Sequence, residues 1–304
     1  MRSILLASAA LALGVVMLVA WLYPVNADFW PANPGWNGLQ ELARSRGALE
    51  APLTELAALD PRNYTLLIVG PSKSFTPGEV LAVRAFLAKG GRVVIADDFG
   101  TANELLEAIG APVRLTGGLL VDPLLNLGAR ELPLAYWSGR RLALNYATAL
   151  NVTGCAGCRV LAASSFFSYL DLDGNGVHDE GEPAGPLPTA VSLSFRGGEL
   201  VVVSDSSIFI NSMLGREGNA LFLEHLLRST APAIDNSHWE ETPLVALKAA
   251  LSSAHRALSS PELKYPLAAA APLGVVAMRR QRELAERLKR HVVQVARAVE
   301  VQGE

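Results

Sequence analysis

The chain has 304 residues, a net charge of −3 and a pI near 6.0, a balance that gives no reason to expect a nucleic-acid partner. Half of its residues are apolar (50%) and the mean hydropathy is +0.27, which excludes a disordered chain and fits one large domain joined to membrane segments. Only two cysteines are present, so a disulfide-rich framework is excluded while a single bridge is not.

After Met1-Arg2, the stretch Ile4 to Tyr23 carries no charge. At about twenty residues it is long enough to cross a bilayer as one helix, and longer than the core of an ordinary signal peptide. Residues 1–27 therefore read as an N-terminal transmembrane anchor with a cytoplasmic N-terminus. The alternative is a signal cleaved after Ala27, with small residues at Val25 and Ala27. Either way the main domain, residues 28–232, is expected outside the cytoplasm.

Asn63 to Ser72 is an apolar run closed by Gly and Pro, as in a buried strand and its exit turn. Thr76-Pro77-Gly78-Glu79 then opens a helix with an N-cap, a proline at the first helical position and a capping box. The helix is expected to stop at Gly90-Gly91. Arg92 to Asp97 reads as a second strand and Thr101 to Ile109 as a second helix, which together make a right-handed βαβ unit and hence a parallel sheet. Gly117 to Thr153 has turn signals without a clear period and reads as a small β-rich insertion. Arg159 to Ser164, Thr189 to Phe195 and Glu199 to Ser204 read as strands, with Arg196-Gly197-Gly198 as a hairpin turn, and Gly218 to Ser229 as a covering helix. The expected fold is a doubly wound, Rossmann-like α/β domain with a mainly parallel sheet.

Cys155 and Cys158 are spaced as in redox and zinc motifs. No further soft ligands are available for zinc, and no helix follows for redox chemistry, so a local disulfide is expected outside the cytoplasm.

Asp171 to Glu182, D-L-D-G-N-G-V-H-D-E-G-E, meets the constrained positions of an EF-hand calcium loop. Asp171, Asp173 and Asn175 supply side-chain oxygens at positions one, three and five, and Gly176 permits the turn at six. Val177 offers a carbonyl, Asp179 stands at nine, and Glu182 closes the loop at twelve. A solvated Asp/Gly turn has no need of this spacing. Pro183, Pro186 and Pro188 forbid an exit helix, so the loop reads as a solitary structural calcium site between strands rather than a sensor.

Ligands of parallel α/β sheets gather at the carboxyl ends of the strands, which here carry Ser72, Asp97, Asp98, Asp205, Ser206 and Ser207. They form a candidate ligand-binding pocket, or alternatively cap the helices and turns that follow. Residues 233–264 read as a linker and helix, 265–278 as a possible second membrane segment, and 279–304 as a basic amphipathic helix.

Four segments carry a family resemblance: N-P-G-W-N-G-L-Q-E-L at Asn33 to Leu42, G-G-R-V-V-I-A-D-D-F-G at Gly90 to Gly100, S-Y-L-D-L-D-G-N-G-V-H-D-E-G-E-P at Ser168 to Pro183, and V-V-V-S-D-S-S-I-F-I-N at Val201 to Asn211. In this order the chain resembles a family of uncharacterised, membrane-anchored prokaryotic proteins with an extracytoplasmic domain of the class I glutamine-amidotransferase-like fold, a flavodoxin-like arrangement. The resemblance implies protein partners in a membrane complex, among them systems with a MoxR-type ATPase. The function expected is a non-catalytic, membrane-anchored binding or scaffold module with structural calcium. The alternative is a hydrolase or amidotransferase-like enzyme using Cys155, His238 and Glu240, or the strand-end carboxylates.

Overall fold

The computed structural model describes residues 2–240, 242–260, 264–266, 280–281 and 283. The expected segments at 265–278 and 279–304 lie outside the described residues, apart from 265–266, 280–281 and 283. Two compact units form. One is Leu22–Val245, and the other combines Met1–Trp21 with Ala246–Glu304.

In the larger unit, α2 (Gln40–Arg46), β1 (Leu49–Ala51) and α3 (Leu53–Leu56) follow α1 (Arg2–Leu22) and lead into β2 (Tyr64–Val69), α4 (Pro77–Ala88), β3 (Arg92–Ala96) and α5 (Ala102–Ile109). Short strands come next: β4 (Arg114–Leu115), β5 (Leu119–Val121), β6 (Leu134–Trp137), β7 (Arg140–Ala143), β8 (Leu150–Asn151), β9 (Arg159–Ser164) and β10 (Tyr169–Asp171). The chain then returns through β11 (Pro188–Phe195), β12 (Gly198–Val203), α6 (Asn211–Leu214), α7 (Asn219–Leu227) and β13 (Ala231–Asp235) to α8 (Pro243–Ser259).

The nine-stranded main sheet has the order β1-β13-β2-β3-β12-β11-β9-β6-β7. The first five strands are parallel, and every pairing from β12 onward is antiparallel. This corrects the sequence-based fold. The sheet is mixed, parallel on one side of β12 and antiparallel on the other, rather than the mainly parallel, doubly wound sheet expected. The supposed β-rich insertion supplies β6 and β7, which extend the main sheet through Ala135 opposite Ser164 and Tyr136 opposite Ala163. The reason is tertiary: a four-residue strand has no periodicity of its own until a partner edge fixes its register.

The transmembrane anchor is also corrected, because among the described residues no helix is long and apolar enough to cross a membrane. An uncharged apolar run encodes a helix readily but does not by itself say what the helix meets. Within its own unit, α1 places the Trp21 ring 6.2 Å from that of His255 on α8, and Lys248 donates to the Trp21 carbonyl at 2.8 Å.

Both faces of the main sheet are buried, because side chains alternate across it. In β3, Val94 and Ala96 join one core with Leu42, Phe209, Phe222 and Trp239, while Val93 and Ile95 join the other with Phe86, Leu106 and Val113. The α4 capping box forms as the sequence predicts, Thr76 accepting from the Glu79 N–H and Glu79 from the Thr76 N–H. Arg196 and Gly197, both at positive φ (54° and 96°), turn β11 into β12 as a two-residue primed hairpin.

A strand absent from the sequence-based reading, β13, lies between β1 and β2. Its Pro232 is tolerated because β1 pairs only with Ala233–Asp235, so the missing N–H falls beyond the end of β1. Two of the resemblance-bearing segments lock together: Asn211 donates to the Asn33 and Gly35 carbonyls and accepts from the Glu41 N–H. A Cβ at Gly38 would come within 2.1 Å of the Asn33 carbonyl oxygen, so only glycine fits that turn.

Candidate calcium loop and strand-end carboxylates

The acidic loop leaves β10, which pairs with β5, and returns through a bridge between Ala184 and Tyr169 to reach β11. It is thus held between strands. Gly174 and Gly176, at φ +75° and +76°, let the chain coil tightly enough for its N–H groups to turn inward. Asp171, buried at the loop's root, accepts from both of those N–H groups at 2.8 and 2.9 Å. Glu182 accepts from the Leu172 N–H at 2.7 Å and the Asp179 N–H at 3.0 Å, spanning the loop's two arms.

Oxygens of Asp171, Asp173 and Glu182 lie within 4.8 Å of one another, a spacing at which one hard cation can be shared. Asn175 bonds Asp173 at 3.0 Å and Asp179 at 2.5 Å, so positions five and nine face the same interior. The donor set is all oxygen and mostly carboxylate, which fits calcium and not a soft metal. Two residues outside the motif support the loop. The Tyr169 hydroxyl and the Arg130 guanidinium both donate to the Gly176 carbonyl, at 2.9 and 2.5 Å. Sequence reasoning missed Arg130 because it arrives from a segment forty-six positions away.

The strand-end residues divide into two places. Asp97 is buried beyond β3 and accepts from the N–H groups of Asp98, Gly100 and Ala102, so it caps the start of α5. Burial pushes its carboxyl up to about 6, with the neighbouring Asp98 adding to the shift and the three N–H groups opposing it. Burial likewise raises Asp98, which accepts from the Phe99 N–H and the Ser206 hydroxyl. Asp205 is fully buried beyond β12. Its carboxyl is held well above the carboxylate range by burial first and the Asp98 charge second. Asn145 N–H reaches its Oδ2 at 2.8 Å, whereas Oδ1 has no hydrogen-bond partner among the described residues; the Ser207 and Ile208 N–H groups oppose the rise without meeting hydrogen-bond geometry. Ser72 stands apart, tied through its hydroxyl to the His238 carbonyl at 3.1 Å. It lines a cleft of about 340 Å³ with Phe29, Trp239 and Glu240.

The triad of Cys155, His238 and Glu240 does not assemble. Cys155 is bonded to Cys158, with an S–S distance of 2.03 Å, and so presents no thiolate. Buried His238 stacks on Phe75 and directs Nδ1 to Asp235 at 2.5 Å and Nε2 to Glu79 at 3.5 Å. Cys155 and Cys158 precede the amino end of β9, whereas His238 follows the carboxyl end of β13. Five-residue strands therefore separate them, about 15 Å of backbone.

Three solved structures resemble parts of the chain. The mmIFT52 N-terminal domain is 15% identical, with a TM-score of 0.44 over 58% of this chain and 80% of that one. Gan42B, a GH42 β-galactosidase, is 16% identical (TM-score 0.34, over 56% of this chain), and the β-galactosidase from Bacillus circulans sp. alkalophilus is 15% identical (TM-score 0.31, over 50%). The chain spans only 22% of either galactosidase. At such scores they carry no argument about fold or activity. No curated protein matches. The family described as "Domain of unknown function (DUF4350)" matches residues 29–227, well over half of the 304, and the chain belongs to that family.

Proposed function

We propose that the protein is a non-catalytic, extracytoplasmic binding module whose 171–182 loop is braced by calcium. The observation that carries this reading is the convergence of Asp171, Asp173 and Glu182 within 4.8 Å at positions one, three and twelve of the loop. Three carboxylates so close repel one another unless a cation lies between them. The Cys155–Cys158 bridge supports the compartment, since disulfides persist where the medium is oxidising and where calcium is plentiful enough for a solitary loop. The occupied sulfur and the doubly engaged His238 support the absence of glutaminase chemistry.

Phe166, at 79% exposure, and Phe167 just ahead of β10, with Leu172 and Val177 within the loop, are exposed apolar side chains available to a protein partner. The family resemblance adds that such partners are subunits of a membrane complex working with a MoxR-type ATPase.

Calorimetric titration of EGTA-stripped protein with calcium, paired with melting curves, tests the brace. At a hundredfold excess over Kd, calcium should add about 2.7 kcal/mol of stability, which for a domain of this size raises the melting temperature by about 5–10 °C. Glu182→Gln should lose most of that increment. An unchanged melting curve with no bound metal would remove the proposal.

A further inference from the structure

A cleft of about 640 Å³ opens at the end of the sheet opposite the strand-end carboxylates, where the amino ends of β3, β9 and β12 meet the last turns of β11. Its charge is lopsided. Arg92, Arg159 and Arg228 line it against the single carboxylate of Glu199, which leaves an excess of two positive charges. Glu199 is fully used: Arg228 reaches its two oxygens at 3.1 and 3.3 Å, and Arg92 pairs with Oε2. Arg92 spends its other nitrogen on the Leu226 carbonyl at 2.7 Å and the His225 carbonyl at 3.3 Å, at the carboxyl end of α7. Burial first, and then the three arginines, hold the neighbouring His225 below its ordinary value.

Arg159 is different. It is exposed to the cleft and has no hydrogen bond or carboxylate partner among the described residues, yet it lies close enough to Arg92 to oppose that charge. The Cys155–Cys158 ring directly precedes it and fixes where it leaves the loop. Directly across the β9–β11 pairing stands Ser192, only 4% exposed, whose hydroxyl has no partner among the described residues and which lines the same cleft. The two side chains share one face of the sheet at the cleft wall, neither is committed to a protein partner among the described residues, and an oxyanion can accept from both at once.

We propose that this cleft binds a small organic anion through a phosphate or carboxylate group seated on Arg159 and Ser192, with Arg92 and Arg228 supplying the surrounding field. The volume suits a ligand larger than a bare ion, held by a few placed polar groups. The site lies outside the calcium loop and does not depend on it.

Inorganic phosphate and citrate serve as probes on the EGTA-stripped, dialysed full chain, because both anions sequester calcium, by calorimetry at constant ionic strength. Binding of either in about the millimolar range or tighter is expected, and Arg159→Gln or Ser192→Ala should weaken it about tenfold for the loss of one charge-assisted bond. Arg140→Gln, an exposed arginine outside the cleft, removes the same charge and should change nothing. Preference for phosphate assigns a phosphoryl ligand and preference for citrate a carboxylate one. The proposal falls if neither probe binds, or if Arg140→Gln weakens binding as much as Arg159→Gln. Failure here with intact calcium binding leaves the brace standing, and the reverse result leaves the cleft standing.

Discussion

Asp97 shows how one buried carboxylate can look functional and act locally. It satisfies three N–H groups at the mouth of α5, and burial raises its carboxyl from 3.8 to about 6. Between those values the folded chain holds a proton that the unfolded chain has released. The resulting stability is complete below the unfolded value of 3.8 and is lost as pH rises through 6. Asp97→Asn carries no such proton. Chemical denaturation at pH 4 and pH 7 should therefore show the wild type losing, relative to the variant, on the order of 2–3 kcal/mol across the interval. A difference that stays flat with pH would show that Asp97 is not the titrating group. The proposed calcium ligands could be picked out at this scale because all lie within twelve consecutive positions. Arg159, Ser192 and Glu199 were not, because strand pairing, and not sequence proximity, puts an unpaired guanidinium beside an unpaired hydroxyl.

Among the elements, α4 is the one whose start was written most clearly, since its cap, proline and glutamate are adjacent. Thr76→Ala removes the acceptor for the Glu79 N–H and should cost about 1 kcal/mol in denaturant unfolding; Thr76→Ser should restore most of it. If both variants match the wild type, the cap contributes nothing in this exposed setting. The strands β2, β3 and β12 were legible for a related reason: each carries an apolar run, Leu66 to Val69, Val93 to Ala96 and Leu200 to Val203, buried on both faces. By contrast β13, A-P-A-I-D, is five residues long and contains proline, so its local preference argues against a strand. Only its pairing with β2 and β1 makes it one. The four-residue strands β6 and β7 were read as a separate insertion for the same reason. Nothing local says that their partner is β9.

At the scale of the whole domain, β12 is the seam between a parallel half and an antiparallel half, parallel to β3 and antiparallel to β11. The parallel half has β2 and β3 at its centre, paired on both sides and covered on both faces. The antiparallel half ends at β7, which has one neighbour only. The acidic loop lies within the chain that joins β9 to β11, and Asp171 is itself the last residue of β10. On the proposed calcium brace, removing the cation would free the three carboxylates to repel and slacken that connection first. Hydrogen exchange of the full chain with calcium and with EGTA resolves this by element. Amides of β9, β10 and β6 should exchange about tenfold faster without calcium, a loss of about 1.4 kcal/mol in local opening, while those of β2 and β3 keep their protection. A uniform change across the sheet would mean that calcium stabilises the domain as one cooperative unit, and no change in β9 and β10 would mean that the loop is not coupled to the antiparallel half.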